Sequence, residues 1–158
     1  AYEPRGKQMT VQNVGTRWVA NPGNHFQICI PEHWKASGYR DNPGLLIVQS
    51  DDDSVTLTIS AYARKPDMDV ARFADVRLSL VDDNLQPVSD RCEEQGVIFQ
   101  RFEGLAEGER VHAHYVIAIT DVPGGYFSFS LVTDADNFER NRAFFLQMLR
   151  TADAITAR

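Results

Sequence analysis

A chain of 158 residues, 43% hydrophobic and 24% charged, has the size and composition of one globular domain, which excludes a disordered chain or two ordinary domains. Its 22 acidic residues outnumber 16 Lys and Arg, and a net charge of -6 repels phosphate backbones. Arg140, Arg142 and Arg150 are scattered rather than clustered, so no nucleic-acid partner is expected, and no apolar run approaches the roughly twenty residues of a membrane helix.

Residues 1–15 mix charge, Pro and Gly without a period and predict an extended arm ahead of one domain over 16–158. A short strand over 17–20 meets the turn Asn21-Pro22-Gly23-Asn24, where Pro fixes φ and Gly or Asn tolerates positive φ. Phe26, Ile28 and Ile30 then alternate with His25, Gln27 and Cys29, the period of a strand, and Pro31 ends it. One helical turn over 31–35 is expected to swing Trp34 onto the core, and 37–44 reads as a loop.

Strands over 45–49 and 55–62 flank the acidic turn Ser50-Asp51-Asp52-Asp53. Val55, Leu57, Ile59 and Ala61 form the core face of the second strand, and Thr56, Thr58 and Ser60 its polar face. The aspartates lack the alternating ligands and terminal Glu of a calcium loop, so they read as a solvated turn.

A first long helix begins near Asp67, buries Val70, Phe73, Val76 and Leu80, and stops before Pro87. Four strands follow, over 87–92, 97–103, 110–119 and 126–132, and their short connections dictate antiparallel neighbours. In the last of them Phe127, Phe129 and Leu131 alternate with Ser128 and Ser130. A second long helix, capped by Thr133 or Asp134, runs to 155 on Phe138, Phe145, Leu149, Ala152 and Ile155. The pattern is that of an α+β domain, a mostly antiparallel sheet covered by two long helices.

Two stretches carry a resemblance: Phe26-Gln27-Ile28-Cys29-Ile30-Pro31-Glu32-His33-Trp34, and Tyr126-Phe127-Ser128-Phe129-Ser130 leading into the helix with Phe138, Phe145, Met148 and Leu149. Over roughly 16–155 the chain resembles the PsbP-like superfamily. That group includes photosystem-associated lumenal proteins, a Ran-binding nuclear import factor and bacterial DcrB-like envelope or secretion-related proteins. The resemblance implies a PsbP-like α/β/α sandwich and a non-enzymatic binding, assembly or chaperone-like role with a protein or peptide partner. It carries over no partner-binding motif and implies no cofactor.

Catalytic chemistry finds little support in the residues. His112 and His114, two apart on one predicted strand, could chelate a metal if an acid such as Glu103 arrived from a neighbouring strand, which would make a small metal-dependent protein or enzyme. Cys29 lies about 13 Å along the strand from His25, too far for a nucleophile and its base, and no third group declares itself for His33. Ser128 and Ser130 sit inside a strand rather than at a nucleophile elbow, and Glu93 and Glu94 are adjacent surface acids. Cys29 and Cys92 form no CxxC pair and are expected as free thiols, which favours the cytoplasm while leaving export open.

The candidate binding face therefore comprises Thr56, Thr58, Ser60, Ser128 and Ser130, extended by His112 and His114 if the three strands align. A structural domain of a larger envelope or secretion machine is a further reading.

Overall fold

The alternation at 26–31 builds an interior strand in the computed structural model, which describes residues 15–39 and 41–155. The expected N-terminal arm lies outside the described residues, apart from Gly15. Strand β2 (Phe26–Pro31) pairs with β1 (Thr16–Ala20) and with the short β11 (Asp153–Ala154) in a small sheet. The Asn21 side chain holds the β1–β2 turn, its Oδ1 accepting from the backbone N–H of His25 at 2.8 Å and of Phe26 at 3.1 Å.

The large sheet contains β3 (Lys35–Tyr39), β4 (Asn42–Gln49), β5 (Thr56–Ala63), β6 (Leu85–Pro87), β7 (Cys92–Glu94), β8 (Val97–Gly104), β9 (Ala113–Val122) and β10 (Gly125–Val132). Its order is β3-β4-β5-β10-β9-β8-β6, with β7 also paired to β8, and every pair among the described residues is antiparallel. The β9–β10 hairpin closes through Pro123 and Gly124, and the φ of 88° at Gly124 is the positive value a type II turn demands at its third residue.

Helix α1 (Val70–Ser79) covers one face of this sheet; α2 (Ala135–Arg140) and α3 (Arg142–Arg150) cover the other together with β2. The main core lies on the second side, where Phe26, Phe99, Phe127, Phe129, Phe138 and Phe145 are all essentially inaccessible. Burying each such ring contributes about 1.5–3 kcal/mol. A smaller core under α1 stacks Phe73 on Tyr126 at 4.6 Å between centroids.

Several expectations need correction. In place of two long helices the described residues form three, of ten, six and nine residues, and none is long. The closing segment breaks at Asn141, whose backbone N–H donates to the Asn137 carbonyl and whose Nδ2 donates to Asn137 Oδ1 at 2.8 Å. Asn competes for local hydrogen bonds in this way and so interrupts helices. The chain leaves α3 after Arg150 and returns as β11.

The stretch 31–35 makes one hydrogen-bonded turn, the Trp34 N–H donating to the Pro31 carbonyl at 3.0 Å, but it is not a helical segment: Pro31 stays in β2 and Lys35 already belongs to β3, and Trp34 is buried against Phe144 as expected. The expected loop at 37–44 is instead most of the β3–β4 hairpin, and 87–92 supplies the ends of two short strands rather than one. Ala61 is exposed. On α1 the buried side is Phe73 and Ala74 flanked by Val70, Arg77 and Leu78, while Val76 and Leu80 face solvent, Leu80 at 72% exposure.

Candidate functional site

Strand register assigns each polar side chain to a face. Ser128 is opposite Ser60 and Ser130 opposite Thr58 across the β5–β10 pair, and Thr58 is opposite Ile47 of β4. Ser37 of β3 continues the row beyond Ile47, and Lys35, Gln49 and Thr56 form the next row. Thr56, Thr58, Ser60, Ser128 and Ser130 thus share one face, as their alternation predicts.

That face is the α1 side, but α1 covers only part of it. Phe73 and Ala74 pack with Ile98, Ile119 and Tyr126, and Leu78 reaches the cluster of Leu85, Phe102 and Ile117, so the helix lies over β8, β9 and β10. Thr56, Thr58, Ser60 and Ser130 remain partly exposed, as do Ile47 and Gln49, whereas Ser128 is buried. The four strands from β3 to β10 make an open floor about 14 Å wide, three strand spacings. The backbones of β4, β5 and β10 are hydrogen-bonded to strands on both sides and β3 is the sheet edge, so the floor's side-chain chemistry is hydroxyls, the Gln49 amide and two cations, Arg77 and Lys35.

Arg77 is the cation beside α1. From the inner side of α1 its Nε donates to Ser128 Oγ at 2.8 Å. Burial pulls its proton affinity down, opposed by the nearby Tyr62, and no carboxylate pairs with it among the described residues.

The histidines are not on this face. Ser128 pairs with Ile119 and Ser130 with Ile117, so the even-numbered residues of β9 point to the other side. His114 is buried there beside Phe138, accepting from Arg101 Nε on Nε2 at 2.9 Å and donating from Nδ1 to the Thr133 carbonyl at 2.9 Å. Glu103 does stand opposite His114 in the register, but both imidazole nitrogens are already engaged. His112 precedes the strand and is exposed. Neither the shared polar surface nor a paired chelate is formed by the two rings. Cys29 and Cys92 are unbridged and partly buried.

No protein-family model matches this sequence, and no curated protein matches it. Solved structures do. The solution structure of cyanobacterial PsbP (CyanoP) from Synechocystis sp. PCC 6803 superposes with a TM-score of 0.57 at 15% identity, covering 97% of this chain and 100% of that one. The fold is PsbP-like. A Bacteroides thetaiotaomicron VPI-5482 structure gives the same TM-score and identity over 88% of this chain and 48% of that one. LpqN of Mycobacterium tuberculosis, described as involved in cell envelope biogenesis, has a TM-score of 0.45 at 12% identity, covering 94% and 99%.

Within this PsbP-like fold the sequence reading missed Arg77 and the outer floor residues Ile47 and Gln49. The signal for Arg77 was its spacing of four from Phe73 and seven from Val70, which places it on the buried side of a helix. A cavity of about 400 Å³ also lies where the two sheets meet, lined by His25, Phe26, Tyr62, Tyr126 and Phe127 among others. Asn21 Nδ2 faces His25 Nδ1 at 3.4 Å there, consistent with Nδ1 as acceptor and the ring proton on Nε2.

Proposed function

We propose that this protein is a non-catalytic binding protein that docks a polypeptide segment across the open hydroxyl face formed by Thr56, Thr58, Ser60 and Ser130, with Ser128 at its inner border. The observation that carries this reading is the displacement of α1 toward β8, β9 and β10, which leaves small hydroxyl side chains partly exposed on a rigid sheet. Small side chains let a partner backbone approach closely, and hydroxyls both donate and accept hydrogen bonds. Sheet residues also hold their positions better than loop residues, so little ordering cost falls on the protein side.

A displayed random-peptide library selected on the wild-type protein supplies probes. Peptides that bind wild type and lose binding to Thr58→Lys, at an unchanged melting temperature, support the face. Peptides that bind Thr58→Lys and Ser60→Lys as tightly as wild type would place docking elsewhere and overturn it.

A further inference from the structure

We infer that this face selects a segment bearing one carboxylate, an Asp or Glu side chain seated against Arg77. The inference rests on the docking reading above and specifies its ligand. Although the whole chain carries a net charge of -6, strands β3, β4, β5 and β10 place no Asp or Glu on this side. The charges that meet the face are cationic: Arg77 at its α1 border and the exposed Lys35 at the outer edge.

Acidic groups stand only at the ends. Asp51, Asp52 and Asp53 form the β4–β5 turn, where Asp52 accepts from both Ser50 and Ser54 hydroxyls. Asp121, opposite Tyr126 near the β9–β10 turn, is on the α1 side as well but is ion-paired with Arg64. The pattern attracts negative charge at the centre beside α1 and repels it at the turn, so it favours a single acid over a polyacidic run.

The guanidinium is well placed for that contact. Its Nε is committed to Ser128, which fixes the plane of the fork, and the terminal nitrogens have no carboxylate partner among the described residues. A partly buried arginine gains more from a carboxylate than an exposed one, because water competes less. The hydroxyls of Thr58, Ser60 and Ser130 then serve the peptide groups on either side of the acid.

The test compares two short Ser/Thr-rich peptides, one with a central Glu and one with Gln in its place, by fluorescence anisotropy. Wild type should bind the Glu peptide about tenfold or more tightly, and high salt should shrink the difference. Arg77→Gln should remove the preference and Arg77→Lys should restore part of it. Because Arg77→Gln also breaks the Ser128 bond, Thr58→Glu provides a second arm: it supplies a carboxylate from within the face and should abolish Glu-peptide binding without lowering the melting temperature. Equal affinity of wild type for both peptides, with both lost in Thr58→Lys, overturns the acid preference and leaves the docking face intact. Binding of neither peptide overturns the ligand proposed here, while undiminished binding to Thr58→Lys overturns the face itself.

Discussion

Arg101 and His114 form a partly buried hydrogen bond in which the guanidinium Nε donates to the imidazole Nε2 at 2.9 Å, and this contact demands a neutral ring. Burial holds the His114 proton affinity below its usual 6.5; the Thr133 carbonyl opposes, the Arg101 charge adds to the depression, and Glu103 and Asp134 oppose more weakly. The unfolded chain therefore takes up this proton more readily than the folded protein. Stability from this site is full above about pH 6.5 and is lost as pH falls through the lower folded value. The urea midpoint should decline on acidification below about pH 6.5, and His114→Gln, which does not titrate, should flatten the decline. Parallel curves for the two proteins would assign the acid sensitivity to other groups.

Ser128 and Ser130 look equivalent in sequence but should differ in cost. Ser128 is buried and accepts from Arg77, whereas Ser130 is partly exposed. Ser128→Ala should destabilise by about 1–3 kcal/mol, because a charged donor loses its acceptor. Ser130→Ala should stay within about 0.5 kcal/mol, as surface changes do. Denaturant melts of the two variants, compared at constant m-value, measure the difference.

The two apolar helical positions Phe138 and Leu80 should also separate sharply. Phe138 is inaccessible, faces Phe99 edge-on and stacks on Phe145 at 6.1 Å. Phe138→Ala should cost about 3–5 kcal/mol from lost burial and the residual cavity. Leu80, at 72% exposure, should accept Ser with a change of about 0.5 kcal/mol or less. Thermal unfolding of both variants tests this, and a large loss in Leu80→Ser would mean that its exposed surface is covered.

Gly125 opens β10 directly opposite Ala63, and a Cβ there would collide with the Tyr62 carbonyl oxygen. That oxygen belongs to the backbone and has no rotamer to yield. Gly125→Ala should therefore cost about 1–3 kcal/mol by forcing the two strands apart. Amide exchange should rise first at the Tyr62 end of β5, while the Thr56 end keeps its protection.

What the sequence by itself determined was the alternation within each strand and the set of apolar side chains available to the core. Phe26, Ile28 and Ile30, Leu57 and Ile59, and Phe127, Phe129 and Leu131 are all buried as their period of two predicts, because a pleat sends successive side chains to opposite sides. The partnership between strands was a different matter. The Pro123-Gly124 turn leaves Val122 opposite Gly125, so even-numbered residues of β10 pair with odd-numbered residues of β9. A shift of one residue in that count exchanges the faces, and it is this parity that parts His114 from Ser128. Reading Pro-Gly as a two-residue hairpin turn would have exposed the parity in advance. The position of α1 had no comparable local signal. Val76 and Leu80 are as hydrophobic as Val70 and Leu78, and only packing against Ile98, Ile119 and Tyr126 chose which side of the helix went inward, bringing Arg77 to Ser128 and leaving Thr58 and Ser60 open. Helix propensity acts along one segment, whereas this choice depended on the summed burial of three strands and the helix together.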